Sequence, residues 1–271
     1  MKMRNNSVGR TSADVARGER RARAVLAQEG LTHLIGIAIE DFAHLRGALV
    51  RDFPLKGCEG RLTRLGGRAI ISVNSSLDYE PRRRFVIAHE IGHLELHEKK
   101  NQLELSLCDE ERISELYDQG TEQEANAFAS ELLMPTEVWH RKCDVTQPTL
   151  DRIAELAQEF GVSFTAAAIR FSKLSGERCC VVYSQDGVVK WAVAGPEFDH
   201  WIERGIQLRP ATLASDYFRK GACRREPEEV AASAWLDAPR ARYGEIWEHS
   251  RVISSQKAVL SLLWIPEGVD F

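Results

Sequence analysis

The sequence predicts an α+β protein with three successive parts. In the first 140 residues, helical stretches with apolar residues at intervals of three and four flank a β-branched run, "RAIISVN" at 68–74. Two further helices are predicted within residues 141–176. In residues 177–271, "RCCVVYS" and "VVKWAVA" on either side of "QDG" indicate a hairpin, and "AVLSLLWI" indicates a buried strand. The predicted domains are therefore 1–140, 141–176 and 177–271, the last with an α+β fold of its own.

The composition excludes several classes of protein. With 44% apolar and 28% charged residues, a chain of 271 residues can bury a sizeable core. No apolar run approaches the roughly 20 residues that span a bilayer, and the basic N-terminal stretch lacks the apolar segment of a signal peptide. The six cysteines show neither the spacing of a disulfide framework nor that of a zinc ribbon. We therefore expect a cytoplasmic protein with no membrane partner and with reduced, mostly buried thiols.

Helix signals order the first part of the chain. Thr11 or Ser12 is expected to cap a first helix that ends at Gly30, and a second helix is expected at 39–46. Pro81 suits the first turn of a third helix, because an amide at that position has no helical partner. The third helix, "PRRRFVIAHEIGHLELHEKK", carries apolar residues on most of its circumference, which predicts that it is buried.

Three later helices are predicted from the same kind of signal. The stretch "TEQEANAFASELLMP" is expected to be helical until Pro135 stops it. The stretches "TLDRIAELAQEF" and "FTAAAIRFSKL" follow, joined by the short turn "GVS". The last two therefore have the pattern of a helix-turn-helix pair.

The third helix carries a motif with the chemistry of a metal site. His89 and His93 are four residues apart, so their side chains lie on one face of the helix and can bind one zinc ion. Glu90 points about 100° away from His89 and can reach a water molecule in the open position of the metal without being a ligand. This H-E-x-x-H spacing is the minimal apparatus for hydrolysing an amide bond, with Glu90 as the general base and Zn²⁺ as the cofactor.

A helix with two core histidines is the competing interpretation of the motif. A buried Glu90 would be costly unless it served a function. Gly92 in the middle of a helix costs about 1 kcal/mol, which indicates the close approach of another element. A candidate for a third ligand also follows on the next helix, so the metal site is the favoured interpretation.

The third ligand is expected to be Glu122. This residue continues the apolar stripe of its helix toward the N-terminus, and a carboxylate on a core-facing stripe needs a partner such as a metal ion. Glu124 has a different explanation, as the third helical residue of a T-x-x-E capping box with Thr121 as the N-cap. His97 is expected to lie too far along its own helix to complete a tetrahedron. Asn126, one turn beyond Glu122, lies where it could orient a ligand.

The substrate is expected to bind in an extended conformation along the strand that precedes the third helix. This strand is predicted to lie at the edge of the sheet, where a peptide can pair with it through main-chain hydrogen bonds and be held over the metal. The residues predicted to contact the substrate are Ile70, Ile71, Ser72, Val73 and Asn74.

The strings "RRRFVIAHEIGHLELH" and "EQEANAFASELLMP", in that order, resemble the ImmA/IrrE family of bacterial metallopeptidases. The resemblance implies a gluzincin-like, zincin-type domain with His89 and His93 as zinc ligands and Glu90 as the base. It implies that the Glu of an E-x-x-x-N pattern, here Glu122 with Asn126, is the third ligand. It also implies a protein substrate, a helix-turn-helix transcriptional repressor whose cleavage derepresses stress-response or mobile-element genes.

Two other functions stay open at this point. A DNA-binding regulator could use the helix pair at 149–175, although its second helix offers only Arg170 and Lys173 to phosphates, and the net charge of −4 disfavours a dedicated nucleic-acid binder. A metal-sensing regulator without turnover would keep the zinc ligands but would not require Glu90. The arginine run at 82–84 is interpreted as a solvated helix start with local ion pairs rather than a nucleic-acid patch.

Residues 177–271 are expected to control when or what the peptidase cuts and to contribute no catalytic group. The two histidines of this region, His200 and His249, lie in no ligand-spaced motif. Tryptophan is concentrated here, and the rings are expected to build a small core and, in part, to line a pocket or a partner-binding groove. These tryptophans are Trp191, Trp201, Trp235, Trp247 and Trp264.

Overall fold

The protein divides into two compact units, residues 1–135 and 136–271. Both units combine helices with a sheet, so the predicted α+β class is confirmed. The predicted boundaries at residues 140 and 176 stay predictions. The computed structural model describes residues 14–65, 68–97, 106–108, 119–143, 147–237, 241 and 244–269.

The first unit surrounds one buried helix. Its elements are α1 Val15–Gln28, α2 Ile39–Leu45, β1 Ala48–Phe53, β2 Cys58–Leu65, β3 Arg68–Asn74, α3 Glu80–Leu96, β4 Ser106–Cys108 and α4 Gln119–Leu133. Helix α3 contacts α4 on one side and strands β2 and β3 on the other, and its residues from Val86 to His93 are all buried. The predicted burial of this helix and the predicted strand at 68–74 are therefore confirmed.

Helix α1 begins later than the sequence suggested. Its N-cap is Asp14, whose carboxylate accepts a hydrogen bond of 2.9 Å from the amide of Arg17. The prediction that Thr11 or Ser12 caps this helix is wrong, because aspartate is an equally good cap and stands directly before the first helical residue. Thr11 and Ser12 lie outside the described residues.

The sheet of the first unit has the strand order β1-β3-β2-β4. Strand β1 pairs in parallel with β3, from Ala48 opposite Ala69 to Phe53 opposite Asn74, and β2 pairs with the other side of β3 in antiparallel fashion. The prediction of an edge strand at Ile70–Asn74 is therefore wrong, since both sides of β3 are already hydrogen-bonded and no substrate strand can be added. The prediction relied on the closeness of this strand to α3 in the sequence. In the structure the earlier strand β1 lies at the edge of the sheet, next to β3.

The second unit is built around an antiparallel sheet of five strands, in the order β6-β5-β9-β8-β7. Its elements are α5 Thr136–Cys143, α6 Leu150–Phe160, α7 Phe164–Leu174, β5 Cys179–Gln185, β6 Val188–Ala194, α8 Leu213–Lys220, β7 Glu228–Ala231, β8 Glu245–Ile253 and β9 Ala258–Trp264. The predicted hairpin corresponds to β5 and β6, and the predicted final strand to β9. Asp186 and Gly187 at the hairpin turn have φ of 54° and 74°, as a two-residue turn of this kind requires.

Helices α6 and α7 confirm the predicted helix pair. Gly161 ends α6 with φ of 63°, and the side chain of Ser163 caps α7. Much of α7 is buried, including Arg170, which donates a hydrogen bond to the hydroxyl of Thr136. Of the two residues considered for DNA phosphates, only Lys173 is exposed.

The tryptophans of the second unit lie in different surroundings. Trp235 is buried in the core on one face of the sheet, whereas Trp201 is 83% exposed. Trp247 and Trp264 contact each other across β8 and β9, with ring centroids 6.4 Å apart. Trp191 stacks on Tyr183 within the hairpin. The aromatic residues therefore contribute to both the core and the surface.

Three smaller predictions can be compared with the structure. Two arginines of the run at 82–84 form ion pairs, Arg82 with Glu59 and Arg83 with Asp52, so this part of the interpretation is confirmed. The run is only partly solvated, since the side chain of Arg83 is 18% exposed. Five cysteines are free, and all of them but Cys223 are buried: Cys58, Cys143, Cys179, Cys180 and Cys223. Among the described residues, no helix combines the length and the apolar character needed to cross a membrane.

Candidate metal centre

Helix α3 places His89, Glu90 and His93 inside the first unit, where they are 0%, 0% and 6% exposed. Gly92 lies against α4, and a Cβ atom at this position would come within 3.2 Å of the Cα and the carbonyl oxygen of Ala125. The prediction that Gly92 marks a close approach is confirmed. The missing side chain lets α4 lie close to the two histidines.

Helix α4 brings Glu122 to both histidines. The Oε2 atom of Glu122 lies 3.2 Å from Nε2 of His89, and its Oε1 atom lies 3.2 Å from Nε2 of His93. The two Nε2 atoms are 2.9 Å apart. Among the residues that the structure describes, this is the one group of three side chains with the geometry to hold a metal ion.

These separations fit a tetrahedral zinc ion. Zinc binds imidazole nitrogen and carboxylate oxygen at about 2.0–2.2 Å, which places neighbouring ligands of a tetrahedron about 3.3–3.6 Å apart. The observed separations of 2.9–3.2 Å are shorter by only a few tenths of an ångström. Small side-chain shifts would therefore admit an ion, and the donor set of two imidazoles and one carboxylate suits zinc.

The electrostatics keep Glu122 ionised. Burial by itself would raise the pKa of this carboxyl group, but hydrogen bonds with His89 and His93 outweigh burial and hold the pKa well below its ordinary value. An ionised carboxylate is the form that binds a metal. Glu122 is thus in the ionisation state that a metal ligand requires.

Each histidine has a partner on its other ring nitrogen. The Nδ1 atom of His89 lies 3.0 Å from Oδ1 of Asn126, and the Nδ1 atom of His93 lies 3.0 Å from Nδ1 of His97. Such partners fix the tautomer and the orientation of a ligating imidazole. The structure therefore places Asn126 beside a candidate ligand, as the sequence suggested, and places His97 beside the ligand group rather than within it.

Glu124 does not cap its helix. Helix α4 already includes Thr121, so Thr121 is not the N-cap and the predicted capping box is wrong. The carboxylate of Glu124 instead forms an ion pair of 2.7 Å with Arg17 of α1, and its Oε2 atom lies 3.4 Å from Nε2 of His97. Burial and the neighbouring His93 lower the pKa of His97, against the raising effect of Glu124.

Strand β2 borders the site on the side of the sheet. A Cβ atom at Gly60 would lie 2.9 Å from Oε1 of Glu90, so the missing side chain gives this carboxylate its space. Arg64 donates hydrogen bonds to the carbonyl oxygens of His93 and His97 at the end of α3. Together, these contacts hold the end of α3 against the sheet.

Sequence reasoning missed the supporting residues rather than the candidate ligands. A glycine inside a strand indicates close approach, and this signal could have identified Gly60. No comparable signal marks Arg17, because it is 107 residues from its partner Glu124 in the chain. Such pairs become visible only once the helices are packed.

The fold and the site together define a metallopeptidase-type domain of the zincin class, with its metal-candidate side chains on two packed helices. Residues 41–172 match the model of the IrrE N-terminal-like domain, peptidase family M78. This match confirms the resemblance to the ImmA/IrrE peptidases for this stretch of the chain.

Comparisons beyond the family model add a likeness in fold. No curated protein matches the sequence significantly. A solved structure of a Mycobacterium tuberculosis transcriptional regulator is similar to this chain with a TM-score of 0.59 and 15% sequence identity. The similarity covers 91% of this chain and 75% of that chain. At this identity the likeness concerns the fold alone.

Proposed function

We propose that the protein is a zinc-dependent endopeptidase that cleaves a helix-turn-helix transcriptional repressor and so derepresses stress-response or mobile-element genes. The observation that carries the proposal is the convergence of His89, His93 and Glu122 to within 3.2 Å, on the packed helices α3 and α4 and next to Glu90. The match of residues 41–172 to the model of a peptidase family supports it. Because repressors act on DNA, the proposed place of action is the cytoplasm.

The proposed roles follow from the chemistry of the side chains. His89, His93 and Glu122 would hold the zinc ion, which supplies Lewis acidity that polarises a peptide carbonyl and makes water easier to deprotonate. The carboxylate of Glu90 takes a proton from the attacking water and delivers it to the leaving amide nitrogen as the C–N bond breaks. Asn126 accepts a hydrogen bond from Nδ1 of His89 and so holds its Nε2 toward the ligand group.

Residues 177–271 are proposed to regulate the peptidase without contributing a catalytic group. The metal-candidate group of the described residues comes entirely from α3 and α4. The structural neighbour is a transcriptional regulator, which fits a role in gene control. A DNA-binding function gains no support from α7, because Arg170 is engaged with Thr136.

The direct test combines the zinc-loaded protein with the helix-turn-helix repressor encoded beside its own gene. Cleavage products are separated and identified by mass, and the matched controls are the same protein after zinc removal and the Glu90→Gln variant. We expect cleavage by the zinc-loaded protein alone. An intact repressor after prolonged incubation with the zinc-loaded protein would rule out this substrate, and full cleavage by Glu90→Gln would rule out the mechanism.

A further inference from the structure

A continuous chain of polar contacts joins the candidate ligand His93 to helix α1, which precedes residue 41, where the family match begins. We infer that Glu124, acting through His97 and held by Arg17, is a positioning residue for His93. The helix α1 is then part of the support of the metal site. This inference rests on the proposed zinc function.

The hydrogen bonds along this chain have only one consistent direction. If the Nε2 atom of His93 presents its lone pair to a metal, the proton of the neutral ring must be on Nδ1, which donates to Nδ1 of His97 over 3.0 Å. His97 then carries its own proton on Nε2, which donates to Oε2 of Glu124 over 3.4 Å. A carboxylate can only accept, so Glu124 sets the tautomer of both imidazoles.

Helix α1 fixes the carboxylate at the end of this chain. Arg17 pairs with Oε2 of Glu124 at 2.7 Å and also donates to the carbonyl oxygen of Leu96 on α3, at 2.6 Å. Gly18 permits the close packing, since a Cβ atom there would overlap the carbonyl oxygen of Glu124. One arginine therefore connects α1 with both helices that carry the candidate ligands, α3 and α4.

The two histidines are supported differently. His89 is oriented by the neutral amide of Asn126, which lies on α4, the same helix as Glu122. His93 is oriented through His97 by an ion pair whose cation comes from α1. Loss of the charge on Glu124 should therefore affect His93 without removing any metal ligand.

The chain offers a matched control for this test. Glu131 also lies on α4 and also pairs with an arginine of α1, Arg23, at 3.0 Å, and its side chain is 0% exposed. It is seven residues beyond Glu124, about 10 Å along the helix axis. Glu131→Gln therefore removes an equivalent contact between α1 and α4 without touching His97 or the candidate ligands.

The experiment compares the full-length wild type with Glu124→Gln and Glu131→Gln. Zinc affinity is measured by competition with a chelator, and the visible spectrum is recorded for each cobalt-substituted protein. Thermal unfolding of the metal-free proteins reports folding separately. We expect Glu124→Gln to weaken zinc binding about 10- to 100-fold, the usual effect of losing a hydrogen-bond partner of a metal ligand. The same variant should shift the cobalt spectrum. Glu131→Gln should keep the wild-type affinity and spectrum even where it unfolds at a lower temperature.

A second variant guards against misfolding of Glu124→Gln. Arg17 has a side chain that is 48% exposed, so Arg17→Met should fold and leave Glu124 in place. It should weaken zinc binding less than Glu124→Gln does, and Arg17→Lys should restore part of the loss. Wild-type zinc affinity in Glu124→Gln, or an equal loss in Glu131→Gln, would overturn the inference.

The outcome separates this inference from the proposed function, because zinc binding is measured without a substrate. If the wild type binds zinc, Glu124→Gln binds it weakly and no repressor is cleaved, the positioning role stands and the peptidase proposal fails. If the wild type cleaves a repressor and Glu124→Gln binds zinc normally, the peptidase proposal stands and the positioning role fails.

Discussion

Two glutamates, the half-buried Glu122 of the first unit and the fully buried Glu248 of the second, show how partners decide what a carboxylate can do. Glu122 faces two imidazole nitrogens at 3.2 Å. Glu248 accepts hydrogen bonds from the indole of Trp235 at 2.7 Å and from the amide of Leu213 at 2.9 Å, at the start of α8. Imidazoles can share a metal with a carboxylate, whereas indole and amide N–H groups only donate.

The pKa values of the two carboxyl groups shift in opposite directions. Burial raises the pKa of Glu248, although the hydrogen bonds from Trp235, Ser250 and the start of α8 oppose this shift. Hydrogen bonds with two histidines lower the pKa of Glu122 in spite of its burial. Burial acts in the same direction on both carboxyl groups. The chemistry of the neighbouring side chains, and not burial, therefore distinguishes the candidate ligand from the structural group.

The largest expected effect concerns Glu90, which follows His89 on α3 and is proposed to act as the general base. Glu90→Gln should lower the rate of repressor cleavage by about 100- to 10,000-fold, because it removes the general base. Its zinc content, measured by metal analysis, should equal that of the wild type. His89→Ala is the complementary variant, since it should lose the metal as well as the activity.

Zinc affinity tests whether Glu122, and not Glu248, is a metal ligand. Glu122→Gln should weaken zinc binding by more than about 100-fold, beyond the usual cost of losing an outer partner. Glu248→Gln should bind zinc as the wild type does. Zinc should also raise the unfolding temperature of the wild type and of Glu248→Gln but not that of Glu122→Gln, because binding to the folded state stabilises it. Equal zinc affinity in the two variants would contradict the distinction.

The structural role of Glu248 can be tested by unfolding the metal-free protein. Four groups donate to the carboxylate of Glu248: the amides of Leu213 and Ala214, the indole of Trp235 and the hydroxyl of Ser250. In Glu248→Gln, an NH₂ group would replace one of the two oxygen acceptors and would face two of these donors. The free energy of unfolding should fall by about 1–3 kcal/mol, the cost of unsatisfied buried groups. Denaturation by urea measures this value. An unchanged urea midpoint would show that the carboxylate of Glu248 does not stabilise the fold.

An effect of similar size is expected for the packing of α3 on α4. An alanine in place of a helical glycine normally stabilises by about 0.5–1 kcal/mol. Gly92→Ala should do the opposite and destabilise by about 1–3 kcal/mol, because its Cβ would be 3.2 Å from the backbone of Ala125 in a well-packed core. A rise in the unfolding midpoint would show that the helices separate at little cost.

The sequence predicted the candidate ligands because they follow helical periodicity. The spacing of His89 and His93 is set by the turn of one helix, and Glu122 continues the apolar stripe of another. The strands were harder to place. β1, "ALVRDF", has a short and charged sequence with no clear strand pattern, yet it pairs with β3 and removes β3 from the edge of the sheet.

Misread local patterns explain the other errors. The T-x-x-E string at Thr121 fits a capping box, but α4 begins at Gln119, before that string. The partners of Glu124 are Arg17 and His97, which come from two other parts of the chain. Contacts between distant segments depend on packing and are not encoded in the spacing of residues along one helix.

Anomalous diffraction at the zinc edge from crystals of the zinc-loaded protein tests the central claim most directly. We expect one strong peak within about 2.0–2.2 Å of Nε2 of His89, Nε2 of His93 and a carboxylate oxygen of Glu122, and none at Glu248. A peak bound by His97 and Glu124 instead, or no peak between α3 and α4 at saturating zinc, would contradict the account.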